Sequence, residues 1–309
     1  MVTTLTLNPC VDWTLSLPRL SPGGLNVVDR ARTDVGGKGI NVSVVLRELG
    51  VETNCLGINY ASNGAVLTEK LDGLGIPHDF VTVPGAIRTN IKLMDSATNE
   101  MTEINSRGEA VSRESIEAVL KKVSARVGAV LVLSGRTPSG AEDDIYKRCI
   151  ETVSASGVKV VLDTQGAPLR LAVSAHPFLI KPNLYELQST FGCASHDMRD
   201  IVRACLPIIR RGVGIVCVSM GANGALITDG KKAFYAPPLD ARPKGYQGAG
   251  DSMVAGICKA VTEDAGLDDM LRFGTAAATA SIIREGTQLC RLADYRRYLP
   301  QVRVEKVTV

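Results

Sequence analysis

The chain has 309 residues, enough for one large domain or two small ones. Its 35 basic and 32 acidic residues leave a net charge of +3, too balanced for a nucleic-acid or membrane-surface protein. Hydrophobic residues at 45% and charged residues at 22% are ordinary for a soluble globular chain, and aromatics at 4% are too few for a base-stacking platform.

A strand is expected over 2–7, stopped by Asn8-Pro9. Asp12 follows just past that strand end, where open α/β sheets bind ligands; the plainer alternative is a turn aspartate. Two short alternating pieces, 12–17 and 25–32, are parted by Pro18 and Ser21-Pro22-Gly23-Gly24 and read as a hairpin. Gly36-Gly37-Lys38-Gly39-Ile40-Asn41 then opens a helix over 40–49 that ends at Gly50. This is neither a P-loop nor a Rossmann fingerprint, because the spacing differs. A cation at a helix start opposes the helix dipole, which favours a phosphate-holding role for Lys38 over a solvated one.

Residues 54–86 read as strand, helix, strand. The stretches 88–94 and 101–105 read as a second hairpin around 95–100. Two hairpins inserted among α/β units imply a small sheet built from about 12–34 and 88–106. One face of it could cover a site as a lid.

From 114 onward the pattern is regular. Ile116, Val119, Leu120, Val123 and Val127 give a helix with one buried stripe, followed by an apolar strand over 129–134. A helix over 141–156, strands over 158–163 and 178–181, a helix over 198–211, and strands over 214–219 and 224–229 follow. Helices over 251–263 and 268–284 complete the alternation. Apolar strands alternating with helices mean a largely parallel sheet covered on both faces. No long linker, repeat or low-complexity segment interrupts it.

Three stretches carry chemistry. Gly248-Ala249-Gly250-Asp251-Ser252 precedes apolar residues at Met253, Val254, Ile257, Cys258 and Val261, so Asp251 falls in the first turn of a helix. Unpaired N–H groups and glycines there cradle an anion, and one carboxylate points into the cradle. That suits deprotonation of a hydroxyl beside a phosphoryl group; the alternative is an ordinary loop-to-helix junction. Asn183 and Glu186, after Lys181-Pro182, could ligate Mg²⁺ through oxygen or simply form a capping box. Ser219-Met220-Gly221-Ala222-Asn223-Gly224 could wrap a nucleotide or serve as a hairpin turn.

Eight cysteines, at 10, 55, 149, 193, 205, 217, 258 and 290, form no Cys-x-x-Cys pair, and three histidines stand apart. Buried free thiols in a reducing cytosol are expected, not a zinc site. No basic leader and no run of 18 apolar residues is present, which points to a cytoplasmic protein.

Five motifs in order give a resemblance over essentially the whole length. They are Thr6-Leu7-Asn8-Pro9-x-x-Asp12, Gly36-Gly37-Lys38-Gly39-Ile40-Asn41, Lys181-Pro182-Asn183-x-x-Glu186, Ser219-x-Gly221-x-x-Gly224 and Gly248-Ala249-Gly250-Asp251-Ser252-Met253-Val254-Ala255-Gly256. Together they are similar to the PfkB (ribokinase-like) carbohydrate kinases. Arg88-Thr89-Asn90-Ile91-Lys92-Leu93, with Thr102-Glu103-Ile104-Asn105, resembles the branch acting on fructose 1-phosphate.

The resemblance implies a three-layer α/β/α fold with a small β lid, as one kinase domain over 1–309. It implies ATP and Mg²⁺, phosphorylation of D-fructose 1-phosphate at C6, and a homodimer formed through the lid. Asp251 would be the base, and the backbone of Gly248, Ala249 and Gly250 would hold the transferring phosphoryl group. Asp12, Gly37 and Asn41 would bind sugar hydroxyls, and Lys38 and Arg88 the substrate's own phosphate. Asn183 and Glu186 would position Mg²⁺, and Ser219, Gly221, Asn223 and Gly224 would embrace ATP.

Two departures stand out. Ser134-Gly135-Arg136-Thr137-Pro138 replaces the family's Ser-Gly-Ser-Leu-Pro, so Arg136 would take over a phosphate contact from serine. Gly245-Tyr246-Gln247 replaces Ser-Thr-Val before the Gly-Ala-Gly-Asp segment. The alternatives are a tagatose-6-phosphate kinase and a non-catalytic sugar-phosphate-binding protein on the same fold.

Overall fold

The computed structural model describes every residue except Ala194, Thr287 and Val309. Fourteen strands are present among the described residues. They are β1 (Val2–Thr6), β2 (Cys10–Leu17), β3 (Arg30–Gly36), β4 (Thr53–Tyr60), β5 (His78–Val83), β6 (Arg88–Asp95) and β7 (Glu100–Asn105). The rest are β8 (Val130–Ser134), β9 (Lys159–Asp163), β10 (Leu179–Ile180), β11 (Ile215–Ser219), β12 (Ala225–Thr228), β13 (Ala233–Ala236) and β14 (Glu305–Val307).

Ten strands form one sheet in the order β14-β13-β12-β11-β10-β9-β8-β1-β4-β5. From β11 to β5 every neighbouring pair is parallel; β12, β13 and β14 extend the sheet antiparallel. The parallel strands are mostly apolar, with buried threonines in β1 whose Thr4 hydroxyl bonds Ser43 of helix Lys38–Glu48, and successive residues feed opposite layers. Leu131 and Leu133 join one core, with Ile116, Tyr146 and Leu187 from helices on that side. Val130 and Val132 join the other, with Leu46, Val254 and Ala277. The sheet is thus sandwiched between two helical layers.

The four remaining strands make a separate small sheet, β3-β2-β6-β7. Strands β2 and β6 run parallel at its centre, flanked by antiparallel β3 and β7.

Several boundaries differ from expectation. The second strand of the first pair is Arg30–Gly36 and not 25–32. Asn26 explains the shift: its side chain bonds Ser21 and Gly24, fixing 21–26 as a turn, while Leu25 and Val27 are exposed. The helix expected over 141–156 is Ile145–Val153 with a 3₁₀ turn after it. Two short helices, Gly166–Ala172 and Leu292–Tyr298, and strands β13 and β14 were too short to register as periodic patterns. All eight cysteines are free and buried. Among the described residues no helix is long and apolar enough to cross a membrane.

Candidate active site

The parallel strands end along one edge, and the polar side chains collect there. Thr6 closes β1, Ser134 closes β8, Asp163 closes β9, and Lys181 follows β10 directly. Open α/β sheets bind ligands at this edge, beside the strand where the order reverses. That strand is β1, with β4 on one side and β8 on the other.

Two glycine-gated helices start at this edge. Helix Ala249–Thr262 is capped by Gly248, whose φ is 73°. That left-handed backbone favours glycine, and a Cβ there would also push against the tip of Leu289, whose Cδ2 would lie at 2.4 Å. The helix's first bond runs from Ser252 N to Gly248 O at 2.8 Å. The N–H groups of Gly250 and Asp251 precede it and remain for an incoming anion. Helix Lys38–Glu48 starts after Gly37 and carries Asn41 in its first turn. Asn41 Nδ2 donates to Asp251 Oδ2 at 2.8 Å, tying the two helix entries together. Asp251 is buried, and burial pushes its carboxyl up, against the pull of the Lys38 ammonium and the Asn41 hydrogen bond. A raised carboxylate is a better proton acceptor near neutral pH.

Behind Asp251 lies a buried cation–carboxylate–cation cluster. Lys38 Nζ and Lys181 Nζ each stand 3.2 Å from a different oxygen of Asp163. Asp163 is 1% exposed and Lys181 4%, while 43% of the Lys38 side chain is open. Burial disfavours the Asp163 carboxylate, but Lys181 and Lys38 outweigh it and hold its pKa at about 2. Burial also opposes charge on Lys38, yet Asp163, Asp251 and Glu186 outweigh it and push its pKa above the usual lysine value.

Two cavities meet here. One, of about 350 Å³, is bounded by Asp12, Gly37, Asn41, Arg88, Arg136, Gly248 and Asp251. The other, of about 540 Å³, is bounded by Lys181, Asn183, Glu186, Ser219, Gly221, Gly224, Tyr246 and Ala249. Lys38 and Gly250 line both. A hydroxyl in the first cavity would meet Asp251, and a phosphoryl group reaching it from the second would pass Lys38 and the helix amides. That arrangement positions a nucleophile, its base and a cradle for developing negative charge.

The inner face of the small sheet roofs the first cavity. Asp12 accepts from Asn90 Nδ2 and Lys92 Nζ, each at 2.8 Å. Arg88 donates to neutral oxygens of Asn90, Ser106 and Asn8, at 2.8, 3.0 and 3.5 Å, and has no ion pair among the described residues. Arg136 is exposed at the same cavity. Gln247 Nε2 donates to Glu103 Oε1 at 2.9 Å, joining the loop before Gly248 to β7.

Asn183 and Glu186 form the capping box in full: Glu186 N donates to Asn183 Oδ1 at 2.7 Å, and Asn183 N to Glu186 Oε2 at 2.9 Å. Both also line the larger cavity. No trio of His, Cys, Asp or Glu gathers to cage a metal among the described residues. One carboxylate beside a phosphate-sized space fits Mg²⁺, which keeps several waters and takes only one or two carboxylates.

Residues 5–294 match the model of the pfkB family carbohydrate kinases. A 1-phosphofructokinase of Borreliella burgdorferi is 35% identical, covering 99% of each chain. Another from Bacillus subtilis is 32% identical, covering 99% of this chain and 100% of its own. The solved Escherichia coli phosphofructokinase-2, in complex with substrates and products, superposes with a TM-score of 0.92 at 28% identity, over 97% of this chain and 99% of its own. The chain belongs to the pfkB family of carbohydrate kinases.

Within this pfkB kinase the residues singled out in the sequence fall into place unevenly. Asp12, Gly37, Lys38, Asn41, Arg88, Arg136, Gly248, Gly250 and Asp251 line one cavity. Ser219, Gly221 and Gly224 line the other. Asn223 does not: the 3₁₀ turn Gly221–Asn223 leaves it exposed, with its carbonyl accepting from Tyr235. Lys38 and Arg88 both line the smaller cavity, with the Lys38 ammonium 3.2 Å from Asp163 where the two cavities meet. Asp163 is not among the residues named from the sequence, and Asn90, Lys92, Glu103 and Gln247 stand there only within longer motifs, without a role of their own. Asp163 had a signal, a carboxylate ending an apolar strand; Asn90 and Lys92 had another, their alternation with Arg88.

Proposed function

We propose that this chain is an ATP-dependent kinase that phosphorylates D-fructose 1-phosphate at its C6 hydroxyl. The observation that carries the reading is the junction of two cavities at Lys38 and Gly250, with buried Asp251 on the sugar side. Relatives at 32–35% identity that are named 1-phosphofructokinase support the substrate.

The sugar occupies the smaller cavity. Asp12, held by Asn90 and Lys92, and the backbone at Gly37 meet its ring hydroxyls. Arg88 and Arg136, cations without an internal carboxylate, hold the 1-phosphate. The C6 hydroxyl points at Asp251, which takes its proton as the bond from the C6 oxygen to the γ-phosphorus forms and the bond from that phosphorus to the β-phosphate oxygen breaks, releasing ADP. Lys38 and the N–H groups of Gly250 and Asp251 stabilise charge on the phosphoryl group in flight. Lys38 therefore acts at the reacting end. ATP lies along Ser219, Gly221 and Gly224. Mg²⁺, which neutralises phosphate charge when bound, would be held from the side of Glu186 and Asn183.

The small sheet is the lid of a single catalytic unit. Its outer face carries Trp13, Leu15, Ile91, Leu93 and Ile104, with Trp13 43% and Ile104 54% exposed. An apolar face turned to solvent favours pairing with a second copy, which supports a homodimer. A soluble cytoplasmic setting is in keeping with eight free thiols.

The test is kcat/KM for fructose 1-phosphate, tagatose 6-phosphate and free fructose at saturating ATP·Mg²⁺. Fructose 1-phosphate should lead, tagatose 6-phosphate trailing by roughly 5- to 160-fold for one unpaired polar group. Free fructose, which leaves Arg88 and Arg136 without an anion, should be far poorer. A lead for tagatose 6-phosphate overturns the substrate; a lead for free fructose overturns the phosphate end.

A further inference from the structure

A third cavity, of about 490 Å³, shares no lining residue with the sugar cavity and only Pro243 with the nucleotide cavity. It separates the inner face of β2 and β3 from the loops at 242–244 and 285–286. Arg30, Arg32, Arg242 and Lys244 face it, against one carboxylate, Glu285. Arg32 is already engaged: it pairs with Asp34 at 2.7 Å and donates to the Glu285 carbonyl at 3.2 Å. Arg30, Arg242 and Lys244 form no ion pair among the described residues. None of the four cations lines the sugar or nucleotide cavity.

The cations come from both sides of the gap and are set on fixed backbone. Arg30 and Arg32 are two apart on β3 and share a face. The other wall is pinned where Lys244 N and Gly245 N both donate to Ile282 O, at 2.7 and 3.2 Å. Like charges gathered across a gap repel one another unless an anion sits between them. Thr14, Ser16 and Asn99 add neutral hydrogen-bonding groups, and among the described residues no aromatic ring lines the space. A nucleobase would find nothing to stack on; a compact anion with several charges would find donors on both walls.

We propose that this cavity is a second anion site, distinct from the catalytic cleft, which takes a small polyanion bearing two or more phosphoryl groups and no base. Its occupant bridges β3 of the lid to the loop that leads into Gly248.

The probe is inorganic pyrophosphate, titrated calorimetrically into the full chain already saturated with a non-hydrolysable ATP analogue. The analogue's own binding is measured first, so failure of the nucleotide assignment is seen separately. We expect one further site, kept in Asp251→Asn and weakened at least about tenfold in Arg30→Ser/Arg242→Ser, each lost contact being charge-assisted. Lys244→Glu should weaken it further, and the melting temperatures of these surface variants should match the wild type. Absence of binding at millimolar pyrophosphate overturns the proposal. So does binding untouched by the double variant, or binding that the ATP analogue displaces.

Discussion

Gly36→Ala isolates how Asp251 is aimed. Gly36 is not in the left-handed region, so alanine is tolerated by the backbone there. The obstacle is a single atom. A Cβ at 36 would lie 2.7 Å from Asn41 Oδ1, closer than real Cβ contacts allow. Asn41 is the far end of a side chain and gives way by a few tenths of an ångström or turns aside. The fold survives, but the same amide donates to Asp251 Oδ2 at 2.8 Å. A neutral hydrogen bond contributes roughly 0.5–1.5 kcal/mol, and misplacing a catalytic group by about 1 Å can cost about 10²-fold. We expect kcat to fall by about 10- to 100-fold, with the melting temperature within a few degrees of wild type.

The pH profile gives the sign. The Asn41 bond lowers the Asp251 pKa, opposing burial, so its loss lets the pKa rise further. The base must be deprotonated to work, so the acid limb of kcat should move to higher pH. Asn41→Ala should do the same, and Gly36→Ala on that background should add little, since both act through one amide. Wild-type kcat with an unmoved acid limb in Gly36→Ala would refute the reasoning, as would effects that simply add.

Three further outcomes follow from the site and the lid. Arg88→Ala should raise KM for the sugar phosphate by about 10- to 160-fold and leave KM for ATP nearly unchanged, whereas Lys38→Met should act mainly on kcat, as steady-state kinetics will report. Asp163→Asn leaves buried Lys181 unpaired and should cost about 3–5 kcal/mol in denaturant unfolding at neutral pH. Because the Asp163 pKa is depressed to about 2, its contribution is present above the ordinary carboxylate range and vanishes on acidification, so the gap to wild type should narrow below about pH 4. Trp13→Glu, on the outer lid face, should convert the proposed dimer to monomer in analytical ultracentrifugation; an unchanged sedimentation coefficient would overturn that interface.

The large sheet was legible because its signal is dense. Parallel strands buried on both faces read as continuous apolar runs, and each ended near a glycine, proline or polar residue that marked the edge. The catalytic helix was legible for a related reason: Met253, Val254, Ile257 and Cys258 fix its phase, and so fix Asp251 in the first turn. Strand β3 was misread because the usual rule is inverted there. Of its polar residues, Arg30 and Arg32 border a cavity and Asp34 pairs with Arg32. The apolar Leu25 and Val27 nearby fit the strand pattern but lie in the exposed loop before β3. The Lys38–Asp163 and Gln247–Glu103 contacts join residues more than a hundred positions apart, and no local pattern encodes such pairings.

That inversion runs through the whole small sheet. An ordinary half-buried sheet hides its apolar face and wets the polar one. Here the register puts Asp12, Asn90, Lys92 and Glu103 toward the body and Trp13, Ile91, Leu93 and Ile104 away from it. The sheet therefore meets the body largely through polar and charged side chains, and such contacts cost little to break and remake with water. A lid needs that property: it must leave and return with each turnover. The apolar face cannot serve the same end, because exposing it at each opening would carry a recurring hydrophobic cost. In the proposed homodimer a second copy would cover it once, removing that cost and leaving only the polar face to open. Polarity toward the substrate and apolarity toward a partner are then two parts of one solution. The alternation of strands β2 and β6 carries both.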